Sequence, residues 1–284
     1  MNSAFKRKTL SAIAFSFLAV MSMIGCSGRK AAPASSGNED TPAIVSLFKS
    51  IDYADTVSLH KPDVMAAHMQ DMVKMMMMSD SDATAKGLEV FFNGLDKDEV
   101  SIRSAYHFAS LYLDNPNSKV RNETLYLRFL TSLLNSKDLS DDISARAQES
   151  LRRTMLNRPG TRANDFQYID RDGKQGTLHS VDAGQTMLIF YDPECPHCPE
   201  ILQRIAKSPK VNAAIGSGTL RVLAVYAEGK RDVWEKSKAE LPKSWTVAYD
   251  LTGVLDTDLY DLPAMPIVYL LDAEKRVLIK DMPW

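Results

Sequence analysis

Hydrophobic periodicity changes once along this chain, at Asn157-Arg158-Pro159-Gly160. Before that point, from Ile44 to Leu156, apolar residues recur three and four apart, with Asp, Ser, Asn and Pro at the breaks, which is the pattern of amphipathic helices. About five helices are predicted. The second carries Pro62 in its first turn, and others cover 83–95, 99–113, 120–134 and 143–155, together a small antiparallel bundle. After Gly160 the pattern alternates and becomes rich in β-branched residues, which calls for strands. A hairpin over 166–170 and 177–181 is expected, followed by a buried strand at 187–191 and a helix at 196–206. A strand at 220–227, a helix at 231–239, a strand at 245–249 and a closing hairpin from 267–271 and 277–280 complete an α/β unit. At 284 residues the chain exceeds the usual size of one domain, in keeping with two units.

Hydrophobic residues at 45% and charged residues at 25% suit a packed core and exclude wholesale disorder. The net charge of -2 comes from interspersed signs with no basic stripe, so nothing points to nucleic acid. Lys6, Arg7 and Lys8 precede an apolar run from Leu10 to Met23 that is short for a membrane span and reads as an export signal. The run closes on Met23-Ile24-Gly25-Cys26, which resembles the lipobox of bacterial lipoproteins. That resemblance implies cleavage before Cys26 and a lipid thioether on its sulfur. The organisation expected is a signal at 1–25, a Pro/Ser/Gly-rich tether at 26–42, a helical domain at 43–157 and an α/β domain at 158–284. The mature protein is then lipid-anchored at Cys26, on the periplasmic face of the outer membrane.

Three cysteines occur, and with Cys26 assigned to lipid the remaining two form Cys195-Pro196-His197-Cys198 directly after the buried strand. Two intervening residues at a helix start bring the sulfurs within reach of a disulfide. The helix N-terminus offers N–H groups and positive potential to the first sulfur, and a thiolate is both nucleophile and leaving group. Cys195 is the expected attacking group and Cys198 the resolving one. Pro196 suits a first helical turn, and His197 adds positive charge near Cys195. A zinc half-site lacks the second Cys pair, and a structural disulfide closing so short a loop gains little chain entropy. Met65, Met69, Met72 and Met76 with His68, and the run Met75 to Met78, have the composition of a soft-metal site, but Met at helical spacing is read as core filling and His107 as a packed histidine. No metal and no separate cofactor are expected.

The residues around the cysteines bear a resemblance. Gly160, Ala163, Asp165-Phe166, Gly173, Leu178 and Leu188-Ile189-Phe190-Tyr191-Asp192-Pro193-Glu194-Cys195 resemble the opening of thioredoxin-like thiol–disulfide oxidoreductases of the TlpA and ResA type. Tyr260-Asp261-Leu262-Pro263-Ala264-Met265-Pro266-Ile267-Val268-Tyr269-Leu270-Leu271-Asp272 resembles their second signature, in which a cis-proline faces the dithiol. The resemblance covers 157–280. It implies a thioredoxin-like fold, a redox-active Cys195–Cys198 disulfide, protein thiol or disulfide substrates, and substrate main chain pairing beside Met265 and Pro266. The helical half resembles the uncharacterised domain that precedes such modules in Bacteroidetes lipoproteins.

Two departures from that family stand out. Ile189, six residues before Cys195, takes the place of a buried Asp that assists proton transfer in thioredoxins, leaving Asp192, Glu194 and Glu200 as nearby acids, each more readily read as a solvated charge. The sequence also stops at Trp284 where the family adds a final helix, so the helical half is expected to cover one sheet face. Two other functions remain in play. One is a partner-binding lipoprotein with a structural or vestigial disulfide. The other is a Cu(I) carrier using Cys195, Cys198 and a distant His such as His179. A peroxiredoxin lacks support because the Thr/Ser and spaced Cys around its nucleophile are missing.

Overall fold

The computed structural model describes residues 41–137 and 139–282. The export signal, Cys26 and most of the tether lie outside the described residues.

The first half is helical. Helices α1 (Ala43–Lys49), α2 (Thr56–Leu59), α3 (Pro62–Met78), α4 (Ser81–Leu95), α5 (Glu99–Ala109), α6 (Glu123–Leu134) and α7 (Asp141–Met155) surround one hydrophobic cluster. Polar side chains set several of the starts, because the first N–H groups of a helix have no internal partner. Asp80 accepts from Ala83 N–H, Asp98 from Ser101 N–H and Asn122 from Leu125 N–H. Met65, Met69, Met72 and Met76 are buried among Phe48, Leu88, Phe91 and Phe129 as core filling. Gly87 lets α1 lie against α4: a Cβ there would meet Ile44 Cγ1 at 2.8 Å. Two expectations are corrected. The helix predicted over 99–113 widens into a π-turn at Ser110–Asp114, and His107 is exposed rather than packed. On α5 the buried positions are Ser101, Ile102, Ala105 and Ala109, and helical spacing carries residue 107 away from that face.

The second half is one seven-stranded sheet in the order β2-β1-β5-β4-β3-β6-β7. Its strands are β1 (Gln167–Asp170), β2 (Gln175–Thr177), β3 (Gln185–Tyr191), β4 (Leu220–Tyr226), β5 (Thr246–Asp250), β6 (Ile267–Leu271) and β7 (Val277–Ile279). Helices α8 (Cys198–Lys207), α9 (Pro209–Gly216) and α10 (Arg231–Ser237) connect them. The strand predicted at 177–181 ends at Thr177, where Thr177 and Ser180 exchange hydrogen bonds in a capping box that starts a single 3₁₀ turn. Helix α9 escaped the sequence reading although Ser208 caps it and Pro209 opens it.

β3 lies inside the sheet between β4 and β6 and is buried on both faces. It pairs in parallel with β4 and antiparallel with β6, with Phe190 opposite Ile267. Met187, Ile189 and Tyr191 face α8 and α10, while Leu188 and Phe190 face Phe166, Leu178, Val254 and Tyr260. The second face is therefore covered by segments of the sheet half itself. This corrects the expectation that the helical half covers it, for no residue of α1–α7 enters either sheet cluster.

From Thr41 onward the two halves nevertheless belong to one compact unit. A polar seam joins them. Lys280, whose side chain is 2% exposed, binds Glu123 at 2.9 Å and the Leu156 carbonyl at 3.1 Å, and Arg121 pairs with Asp281. At the end of α7, Arg152 reaches Asp258 at 3.1 Å and Arg153 reaches Asp261 at 3.2 Å. Asn157 is the pivot. Its Nδ2 donates to Leu259 O at 2.8 Å, its Oδ1 accepts from Asn164 N–H at 2.8 Å, and its φ is +49°. Asn tolerates that left-handed conformation better than other side chains do.

Replacing Asn157 by Ala removes both hydrogen bonds and strains the backbone, with an expected loss of about 2–4 kcal/mol. Asn157→Gly keeps the conformation and is expected to cost less. Urea melts of the two variants check this, and equal destabilisation would show that the backbone conformation contributes nothing.

Candidate redox site

The site forms where β3 ends. Beyond Tyr191 the chain turns: Asp192 Oδ1 accepts from Glu194 N–H at 2.9 Å, Cys195 N–H donates to Asp192 O at 3.1 Å, and Cys198 N–H donates to Cys195 O at 3.3 Å. These bonds wind the strand directly into α8. The helix begins at Cys198, which corrects the predicted start at Pro196. Pro199 occupies the first-turn position that needs no N–H, while Pro196 and His197 lie exposed in the turn before it.

The two sulfurs have different environments. Both cysteines are free thiols and approach within 3.7 Å. Cys195 is partly exposed and its Sγ donates to Met265 O at 3.3 Å. Cys198 is 0% exposed, packed with Ile189, Leu202 and Tyr191, and its Sγ accepts from Asp192 N–H at 3.5 Å. Burial pushes the Cys198 thiol up to about 12, only partly offset by that N–H. The Met265–Pro266 peptide bond is cis. Because Phe190 faces Ile267 across the β3–β6 ladder, the residues just after one strand and just before the other meet, and Met265 comes to lie on Cys195.

The remaining sequence candidates separate. Glu194 is paired with Lys230 at 2.8 Å and Glu200 with Arg204 at 2.8 Å, both as exposed ion pairs. The Asp192 carboxylate is engaged in its own turn. The His179 ring binds Ala163 O at 2.8 Å and lies 3.5 Å from the Asp165 carboxylate. Among the described residues no three His, Cys, Asp or Glu side chains are gathered as metal ligands. Sequence reasoning missed a pocket of about 350 Å³ lined by Cys198, Tyr191 and Glu240 among others. Strand alternation placed Tyr191 on the same face as Ile189, but nothing local signalled Glu240.

A strand–turn–helix dithiol facing a cis X–Pro bond on a central mixed sheet defines a thioredoxin-like fold. Comparison with known proteins agrees. A thioredoxin-like protein from Bacteroides caccae superposes with a TM-score of 0.78 at 28% identity, over 92% of this chain and 96% of that one. The C-terminal domain of an uncharacterized protein from Bacteroides fragilis is 38% identical over 45% of this chain and 91% of its own, with a TM-score of 0.44. A thiol:disulfide interchange protein from a Bacteroides species is 20% identical over 44% and 82%, with a TM-score of 0.39. Residues 47–157 match a domain of unknown function, DUF5106. No curated protein matches the chain. The chain thus has a thioredoxin-like fold, with a segment matching DUF5106 ahead of the thioredoxin-like module.

The unequal burial has a direct consequence for reactivity. In the native reduced protein near pH 8, brief iodoacetamide treatment should modify Cys195 and leave Cys198 unmodified until denaturant is added. Peptide mass spectrometry checks this, and comparable labelling of Cys198 in the native state would contradict its burial and raised pKa.

Proposed function

We propose that this protein exchanges disulfides with protein substrates in the cell envelope, with Cys195 as nucleophile and Cys198 as resolving thiol. The observation that carries the reading is the pairing of a reachable sulfur with a buried one 3.7 Å away, beside the Met265 carbonyl. In the reducing direction the Cys195 thiolate attacks a substrate disulfide. A Cys195–substrate bond forms and one substrate sulfur leaves as thiolate. Cys198 then loses its proton and attacks Cys195, expelling the second substrate sulfur and leaving the Cys195–Cys198 disulfide. Two electrons pass from the dithiol to the substrate, and the reverse sequence oxidises a substrate dithiol.

The neighbouring residues take supporting roles in this reading. Pro196 and His197, exposed in the turn, form the edge that meets substrate, and a positive charge on His197 favours the thiolate state of the pair. The backbone at Met265 and Pro266 pairs with substrate main chain, which positions the substrate sulfur over Cys195. A lipid on Cys26 would hold the module at the membrane surface.

Trapping tests the reading. Cys198→Ser blocks resolution, so this variant expressed in its native host should accumulate mixed disulfides through Cys195, seen as dithiothreitol-sensitive bands on non-reducing gels. Cys195→Ser,Cys198→Ser should show none. Bands that persist in the double variant, or a single variant with no adducts, would count against exchange chemistry.

A further inference from the structure

Resolution requires Cys198 to give up a proton, yet Ile189 fills the space beside it with hydrocarbon. The pocket of about 350 Å³ lies beside Cys198. One wall comes from Pro199, Leu202 and Gln203 of α8, the other from Leu241 and Pro242 beyond α10. Arg171 fixes the second wall by donating to Leu241 O at 3.3 Å and Pro242 O at 3.0 Å.

A polar side chain lines this pocket without a partner. Tyr191 is 2% exposed, and its hydroxyl has no hydrogen-bond partner within the protein. An unpaired buried hydroxyl is unfavourable, and the pocket beside it gives this one room for a partner. Burial raises the Tyr191 pKa most, Arg171 opposes this, and Cys198, Tyr226 and Glu240 add to it. Tyr191, Cys198 and Glu240 line the same pocket, and burial keeps the hydroxyl neutral, able to accept one proton while donating its own. Glu240 is exposed, so it is in contact with bulk water.

The other groups facing Cys198 are less suited. Cys195 is the partner in the reaction. Asp192 acts on the thiol electrostatically but does not line the pocket, and it is held by the Glu194 N–H. Glu194 and Glu200 are neutralised by Lys230 and Arg204.

We propose that the Cys198 proton leaves through this pocket, relayed by the Tyr191 hydroxyl to the Glu240 carboxylate. As Cys198 Sγ attacks Cys195 Sγ, its proton passes across water in the pocket to Tyr191 Oη, and the Tyr191 proton passes across water to Glu240. The electron pair of the breaking Cys195–substrate bond leaves on the substrate sulfur, and Glu240 releases its proton to solvent. In the oxidising direction the same chain returns a proton to Cys198. The inference rests on the exchange reaction proposed above.

The test uses 5,5′-dithiobis(2-nitrobenzoate) under stopped flow. Attack by Cys195 releases one thionitrobenzoate, and resolution by Cys198 releases a second. At pH 7, Tyr191→Phe and Glu240→Gln should each slow the second release by about 10-fold or more relative to the first, below the roughly 10²–10⁴-fold that a positioned proton-transfer group supplies. The deficit should shrink as pH rises toward 10, where hydroxide takes over. Because Glu240 is exposed, its Gln variant keeps the fold. Wild-type second-phase rates and an unchanged pH profile in both variants would overturn the relay while leaving exchange intact. Loss of the second phase in Asp192→Asn with Glu240→Gln unaffected would likewise overturn it. A wild-type protein that releases only one equivalent would instead overturn the exchange reading itself.

Discussion

The pairing of β3 with β6 is the constraint on which the site depends. Six consecutive residues of β3, Thr186 to Tyr191, are buried, so the strand is fixed from both faces as well as by ladders on both edges. A slip of one residue would turn Ile189 and Tyr191 away from α8 and Leu188 and Phe190 toward it, exchanging two differently shaped surfaces. With that register fixed, the turn after β3 and the Met265–Pro266 segment before β6 can meet only at one end of the sheet. The contact between Cys195 and Met265 is thus set by the core and not by either loop alone.

The helical half acts on the same segment from the other side. Arg152, Arg153 and Asn157 at the end of α7 hold Asp258, Asp261 and Leu259 in the stretch leading to Met265. The exposed Arg152–Asp258 pair contributes little by itself. The buried amide of Asn157 matters more, because its hydrogen bonds are shielded from water and end on main-chain groups that have few alternatives. Two cores that share no apolar residue are in this way coupled through polar contacts converging on one loop.

Much of this was readable in the sequence. Periodicity located α3 to α7 within a few residues, and the change at Asn157–Gly160 marked where helices give way to strands. The cysteine spacing and the motif around Pro266 located the dithiol and the cis bond facing it. Other features depended on contacts distant in sequence. Arg121 and Glu123 are far in sequence from Lys280 and Asp281, and only the fold brings them into one seam. With prolines at 196 and 199, either could open α8, and the turn bonds after Asp192 decide for Pro199. The Cys198 pocket combines parts of β3, α8 and the segment after α10, so no local pattern announced it.

The most direct test of the account is catalysis of insulin-disulfide reduction in the presence of dithiothreitol, followed by the turbidity of the precipitating chain. The account predicts that the wild-type protein accelerates precipitation and that Cys195→Ser returns it to the uncatalysed rate. A wild-type protein no faster than dithiothreitol alone, or a Cys195→Ser variant that keeps the acceleration, would contradict it.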